Sequence, residues 1–308
     1  MDISVVIPVY GCKTALPELH RRLVSTLESV VDSFEIILVD DCCPQNSWEV
    51  ITNICLSDSR VKSLRFSRNF GQAKAITAGL DCCRGEWVVV MDCDLQDRPE
   101  FIKDLYAKAC EGYDVVFARR IDRKDNIVTR CLSKLFYTVY DYFADENTDN
   151  SICNFSISKR IVIENYCRMR EHDRAYMLFI KWLGFRQTAI DATADKRYEG
   201  ESSYSLQKKL TVAFECITAQ SNKPLKFSAA MGFIISFASF LYILYLTTRY
   251  YIGMGIPEGW TTIVVSIYFV GGLLMFAIGV LGLYIGNIFN EVKNRPLYVV
   301  AEKLNFDK

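Results

Sequence analysis

Trp87-Val88-Val89-Val90-Met91-Asp92-Cys93-Asp94-Leu95-Gln96-Asp97 begins with five apolar residues and ends with three carboxylates in six positions. The apolar run has the length and β-branched content of a strand buried on both faces. The carboxylates fall where that strand stops. Asp92 and Asp94, two apart, make a hard-oxygen set suited to Mg²⁺ or Mn²⁺ shared with a diphosphate. Asp-x-Asp on a loop is a common accident, and its place directly after a buried strand is what gives this pair meaning. The plainer reading is a solvated turn, with Asp97 capping a helix that begins near Pro99.

The same alternation extends on both sides. Ile3–Ile7, Glu35–Val39, Val61–Phe66 and Tyr113–Ala118 read as strands. Leu16–Val31, Trp48–Leu56, Gln72–Cys83 and Pro99–Cys110 carry helical periodicity. Strands alternating with helices predict an α/β fold with a mainly parallel sheet over residues 1–120. Ligands of such sheets bind beyond the carboxyl ends of strands, and Asp40, Asp41, Asp92 and Asp94 all fall at such ends. No Gly-x-Gly-x-x-Gly follows the first strand, which argues against a nicotinamide enzyme.

Residues 121–222 are less regular and read as an acceptor-side half. Val128 to Phe143 and Gln207 to Thr218 are amphipathic helices, each either packed on a core or lying on a membrane surface. Residues 223–308 carry the excess hydrophobicity of a chain that is 51% apolar. Phe227–Thr248 holds 22 residues without a charge and Thr261–Asn290 holds 30. About 20 apolar residues cross a bilayer core, so these predict two transmembrane helices, near 227–248 and 261–288, joined by a Gly- and Pro-containing turn and followed by a cytoplasmic tail. Lys223, Lys226, Lys293, Arg295 and Lys303 flank the pair, while Arg249 and Glu258 are the charges of the connecting loop. The positive-inside rule then places the N-terminal region in the cytoplasm of a multi-pass inner (plasma) membrane protein. No basic segment precedes Met1-Asp2-Ile3-Ser4-Val5, so no signal peptide is read. Charges balance at 36 Lys+Arg and 36 Asp+Glu, against a charge-driven nucleic-acid binder. The 12 cysteines form no Cys-x-x-Cys and are expected to stay reduced in the cytoplasm. With two histidines and no ligand spacing, a zinc site is not expected.

Five motifs in order carry a resemblance. They are Val6-Ile7-Pro8-Val9-Tyr10, Val39-Asp40-Asp41, Ser67-Arg68-Asn69-Phe70-Gly71-Gln72, Asp92-Cys93-Asp94-Leu95-Gln96-Asp97 and Arg197-Tyr198-Glu199-Gly200-Glu201-Ser202-Ser203-Tyr204. Together with the hairpin, they make the chain resemble glycosyltransferase family 2. Within it, the likeness is to the polyprenyl-phosphate branch related to dolichol-phosphate mannose synthase. The resemblance implies a GT-A (Rossmann-like) domain, a UDP-sugar donor, Mn²⁺ or Mg²⁺, and inverting transfer onto polyprenyl (undecaprenyl) phosphate. It implies that Pro8, Tyr10 and Asp40 hold the nucleoside, with Cys12 a positional candidate. Asp92 and Asp94 would bracket metal and diphosphate, with Gln96 in the same loop. Arg68 and Ser202 sit in donor-side motifs, and Arg120 and Arg197 would neutralise phosphate. Asp97 and Asp149 are candidates for orienting the acceptor. Members of the branch form homo-oligomers, so a dimer or tetramer is expected, and small residues such as Gly272, Gly279 and Gly286 in the second span would let helices approach.

The chain departs from the family pattern at four places. Gly11-Cys12 stands for Asn-Glu, Cys42-Cys43 for Gly-Ser, Ser203 for lysine, and Asn154 for an aspartate. The last removes a carboxylate base. A phosphate monoester is already anionic at neutral pH, with a second pKa of about 6, so it needs little such help. Two alternatives stand beside this reading: transfer to another lipid or glycan, and a catalytically silent, membrane-anchored homologue.

Overall fold

Ile3–Val9 (β1) and Phe34–Asp40 (β2) are buried at every residue, as strands covered on both faces must be. The computed structural model describes residues 1–120, 152–193, 221–252 and 259–306. Among these, 1–120, 152–193 and 295–306 form one compact unit, and 221–252 with 259–294 a second. The two amphipathic segments, Asp149, the Arg197–Tyr204 motif and the turn at 253–258 lie outside the described residues.

In the first unit, helices alternate with strands. Leu16–Glu28 (α1) follows β1, Ser47–Ser57 (α2) follows β2, and Val61–Phe66 is β3. Gln72–Cys82 (α3), Trp87–Val90 (β4), Ile102–Cys110 (α4) and Val115–Arg120 (β5) come next. Ile152–Lys159 (β6), Arg160–Arg168 (α5), Tyr176–Trp182 (α6) and Gln187–Ala192 (β7) complete the described central part. The sheet order is β7-β5-β6-β4-β1-β2-β3-β8, where β8 is Val300–Leu304. β1 pairs in parallel with β2 and β4, and β2 with β3, while β6 and β8 run antiparallel to their neighbours.

Period-two alternation divides the core into two layers. Ile3, Val5, Ile7 and Val9 of β1 pack with α1, α2 and α4, whereas Val6 faces α3, α5 and α6. Leu16, Leu19, Leu23 and Leu27 recur at helical spacing and are almost wholly buried. Each contributes on the order of 2 kcal/mol by leaving water. On the other layer α3 lies so close to β1 that a Cβ at Gly79 would stand 2.3 Å from Val6 Cγ1.

The second unit contains Lys223–Tyr251 (α7) and Trp260–Val292 (α8). Both are longer than the uncharged runs that predict them. Their apolar side chains are uncovered: Phe233, Tyr268 and Met275 are each more than 70% exposed. The Tyr284 hydroxyl donates to the Ser221 carbonyl at 2.6 Å, joining α8 to the entry of α7. Apart from the backbone of α8 itself and the adjoining residues, no described atom lies within 4 Å of where a Cβ would stand at Gly271, Gly272, Gly279, Gly282 or Gly286.

The segment after α8, read from sequence as a tail, is a strand of the first unit's sheet. β8 pairs with β3 through Ser63↔Leu304, Leu64↔Lys303 and Arg65↔Glu302. Asn305 Nδ2 fastens its end by donating to the Cys55 and Val61 carbonyls, each at 2.8 Å.

Candidate active site

β1 lies between β2, reached through α1, and β4, reached later from the opposite direction. Such a point of reversal opens a crevice beyond the strand ends. The loops after β1, β2 and β4 meet there, which is why residues distant in sequence converge.

The β2 loop organises its neighbours. Asp41 is buried and accepts the backbone N–H groups of Phe70 at 2.7 Å and Gly71 at 2.9 Å. Gly71 has φ of +98°, which its lack of a Cβ permits. The loop so pinned delivers Gln72, the first residue of α3, whose amide Nε2 donates to Asp92 Oδ1 at 2.7 Å. Asp40, also buried, accepts the Cys43 N–H at 3.1 Å and lies 3.6 Å from Arg65 Nε. Burial raises the pKa of both aspartates, against the hydrogen bonds they accept.

The β4 loop holds the acidic cluster. Asp92 is half-buried, and its pKa is raised first by burial and then by the charges of Asp97 and Asp94. Asp94 Oδ1 accepts the Gln96 N–H at 3.1 Å, and Leu95 is in the left-handed region at φ +58° with its side chain buried. A buried leucine held there is strained, and such strain collects at functional loops. Asp97 Oδ1 accepts from Arg120 Nη2 at 2.7 Å, while Asp97 Oδ2 and Arg120 Nε are buried without a partner. Arg120 Nη1 also donates to Gln96 Oε1 at 3.4 Å. Asp97 and Arg120 border a cavity of about 290 Å³, with Arg98, Asp104, Phe155 and Thr193 on its walls.

The expected donor residues are spread around this crevice. Pro8 is buried in β1 opposite Val39, and Tyr10 is 51% exposed just beyond it. Arg68 stands over the Phe70 ring at 4.2 Å and contacts its own loop. Arg197, Ser202 and Ser203 lie outside the described residues. Asn154 is on β6, and its carbonyl accepts from the Ser156 hydroxyl at 3.0 Å.

Cys12 corrects the expectation of reduced thiols. It is disulfide-bonded to Cys93, across a sequence separation of 81 residues and with Cα atoms 6.1 Å apart. The cause is topological: β1 and β4 are adjacent and parallel, so residues three past each end meet. Cys43 is a thiol that accepts the Gly11 N–H at 3.2 Å and the Ser47 hydroxyl at 3.1 Å, tying the first two loops together. The sequence alone gives Gln72 no role of its own and marks Asp41 only for falling at a strand end. The Asp40-Asp41 doublet and the Gly71-Gln72 pair were their only traces.

A divalent cation suits this donor set. Asp92 and Asp94 are hard oxygen ligands beside a third carboxylate, and the charges of Asp97 and Asp94 add to burial in raising the Asp92 pKa. Among the described residues no group of three or more His, Cys, Asp or Glu is placed to hold a metal ion, so a cation at this pair would need further oxygen ligands from outside these side chains.

Fold and carboxylate loop together define a glycosyltransferase of the GT-A class. Mannosyl-3-phosphoglycerate synthase from Rubrobacter xylanophilus has the same fold, with a TM-score of 0.51 over 70% of this chain and 72% of its own, at 14% identity. The model for "Glycosyl transferase family 2" matches residues 4–166, and the chain belongs to that family. Two relatives match it end to end. The SfII prophage-derived bactoprenol glucosyl transferase of Shigella flexneri is 32% identical, covering 98% of each chain. The undecaprenyl-phosphate 4-deoxy-4-formamido-L-arabinose transferase of Proteus mirabilis is 30% identical, covering 99% of this chain and 95% of its own.

Proposed function

We propose that this glycosyltransferase moves a sugar from a UDP-sugar to polyprenyl phosphate at the cytoplasmic face of a membrane. The observation that carries the reading is the Asp92-Cys93-Asp94 loop at the sheet's switch point, in a chain that also bears two uncovered apolar helices. Relatives named for bactoprenol and undecaprenyl phosphate span its whole length and support the acceptor. They differ in sugar, so the reading names the donor class and not the hexose.

An oxygen of the acceptor phosphate attacks the anomeric carbon of the donor. The bond from that carbon to the β-phosphate oxygen breaks, and configuration inverts. Little proton transfer is needed, because the attacking monoester is already ionised at neutral pH. Asn154 in place of a carboxylate is compatible with this. Asp92 and Asp94 would hold Mn²⁺ or Mg²⁺, which neutralises charge on the departing diphosphate. Gln72 orients Asp92. Arg120, anchored by Asp97, sets positive charge beside the cavity, and Asp97 is assigned to orienting the acceptor through that guanidinium. Pro8, Tyr10 and Asp40 form the nucleoside side, with Arg68, Arg197 and Ser202 assigned to phosphates by motif.

The strand order supports the membrane arrangement. β8 belongs to the same sheet as β1, so the chain must finish on the side of the membrane where it began. Two crossings meet that demand and one does not. Lys223, Lys226, Lys293 and Arg295 at the outer ends of α7 and α8 favour the cytoplasm for that side. Small residues let helices approach closely in lipid, so the glycines of α8 suit association between copies as a dimer or tetramer.

The test is transfer from a panel of UDP-sugars to undecaprenyl phosphate in detergent with Mn²⁺ or Mg²⁺, scoring lipid-linked product in the organic phase. One donor should give product, and Asp94→Asn should abolish it. Intact UDP binding with no product would redirect the acceptor to another lipid or a glycan. No UDP binding and no product would leave a silent homologue.

A further inference from the structure

Both oxygens of Glu302 on β8 are engaged, one by the neighbouring strand β3 and one by the helix α2. Oε1 accepts from Arg65 Nη1 at 2.8 Å, and Oε2 accepts from Trp48 Nε1 at 3.2 Å. Arg65 lies 5.7 Å from the Trp48 ring, which faces its guanidinium. The same guanidinium has a second acid beside it. Its Nε stands 3.6 Å from Asp40 Oδ2, close enough for attraction and too far for a hydrogen bond. Arg65 thus sits between two carboxylates and is committed to the outer one.

That division matters because Asp40 is buried at the end of β2, where the nucleoside is expected, and this inference rests on that donor reading. An aspartate meeting the N–H of a nucleobase must keep an oxygen for it. A guanidinium closing on Asp40 would take that oxygen in a charge-assisted bond. We infer that Glu302 is a positioning residue of the donor site: it holds Arg65 away from Asp40 and so keeps the carboxylate open to the base. The segment that follows the second apolar helix thereby completes a site built from the first 100 residues. β8 fixes the register that makes this possible, since Arg65 and Glu302 are direct cross-strand partners.

Removing Glu302 alone frees Arg65 to close on Asp40. Removing both leaves Asp40 without the intruder, so the second substitution repairs the first. A residue that only braced the strand would not behave in this way. The experiment is calorimetric titration of UDP into the full-length chain in detergent with Mn²⁺. Glu302→Gln should raise Kd about tenfold, equally for UDP and UMP, because the loss concerns the base and not the diphosphate. The double variant Glu302→Gln/Arg65→Met should bind within about twofold of Arg65→Met alone. Asn305→Ala, which loosens β8 without touching Glu302, should lower Tm and leave Kd unchanged. Equal binding by wild type and Glu302→Gln overturns the inference, as does a double variant no better than Glu302→Gln. A wild-type protein that does not bind UDP removes the donor reading itself, and this inference with it.

Discussion

In the proposed site a proton and a divalent cation would compete for Asp92. Burial, then the charges of Asp97 and Asp94, raise its pKa above the ordinary aspartate value. The metal-free folded chain therefore holds this proton more tightly than the unfolded chain does. Its contribution to stability is greatest in acid and falls as pH rises above about 4 towards the raised folded value. A bound cation removes that penalty and must displace the proton. The rise in Tm on adding Mn²⁺ should accordingly be larger at about pH 8 than at about pH 6. Asp92→Asn should flatten the difference, and a wild-type shift equal at both pH values would count against a metal on this residue. Gln72 makes a narrower case. Gln72→Leu keeps the volume but removes the amide donor to Asp92, so transfer should slow about tenfold, or about 1.4 kcal/mol. Tm should hardly move; a rate equal to wild type would show that Asp92 needs no such support. Asp92 and Asp94 were legible because their spacing sits on a strand end. Gln72 was not, because its bond to Asp92 depends on Asp41 catching a loop that begins 26 residues later.

The strands were readable from composition and period, and their partners were not. β1 and β4 each announce themselves as apolar runs. Only their pairing brings Cys12 to Cys93, which is why reduced thiols were the natural expectation for a cytoplasmic domain. Alkylation of these two cysteines in the intact protein should require prior treatment with a reductant. Closing a loop of 81 residues stabilises a fold by at most about 4.5 kcal/mol through the entropy of the unfolded chain. Reduction should therefore lower Tm by several degrees. It should also weaken UDP binding, because the nucleoside loop and the acidic loop are then no longer tied. Alkylation of both thiols without reductant would show that the bond is not formed in solution. β8 shows the same limit. Val300-Ala301-Glu302-Lys303-Leu304 alternates weakly and reads as a tail, because what makes it a strand is the open edge of β3.

At the scale of the molecule, a sheet that includes residues from both ends of the chain constrains the membrane topology. Cys110 is exposed at the end of α4 and reports on the side of the catalytic unit. A membrane-impermeant maleimide should label it in inverted vesicles and spare it in intact cells; labelling in intact cells would reverse the orientation. The amino-acid sequence by itself determined the α/β class, the carboxylate loop and the two apolar helices. Each of these is a local matter: burial period, spacing along one strand end, and the length of an uncharged run. Tertiary structure decided the Cys12–Cys93 bond, the Gln72 and Glu302 contacts, and the return of β8 to the sheet. Those depend on which strands are neighbours, and strand order follows from packing the whole core, which no short segment encodes.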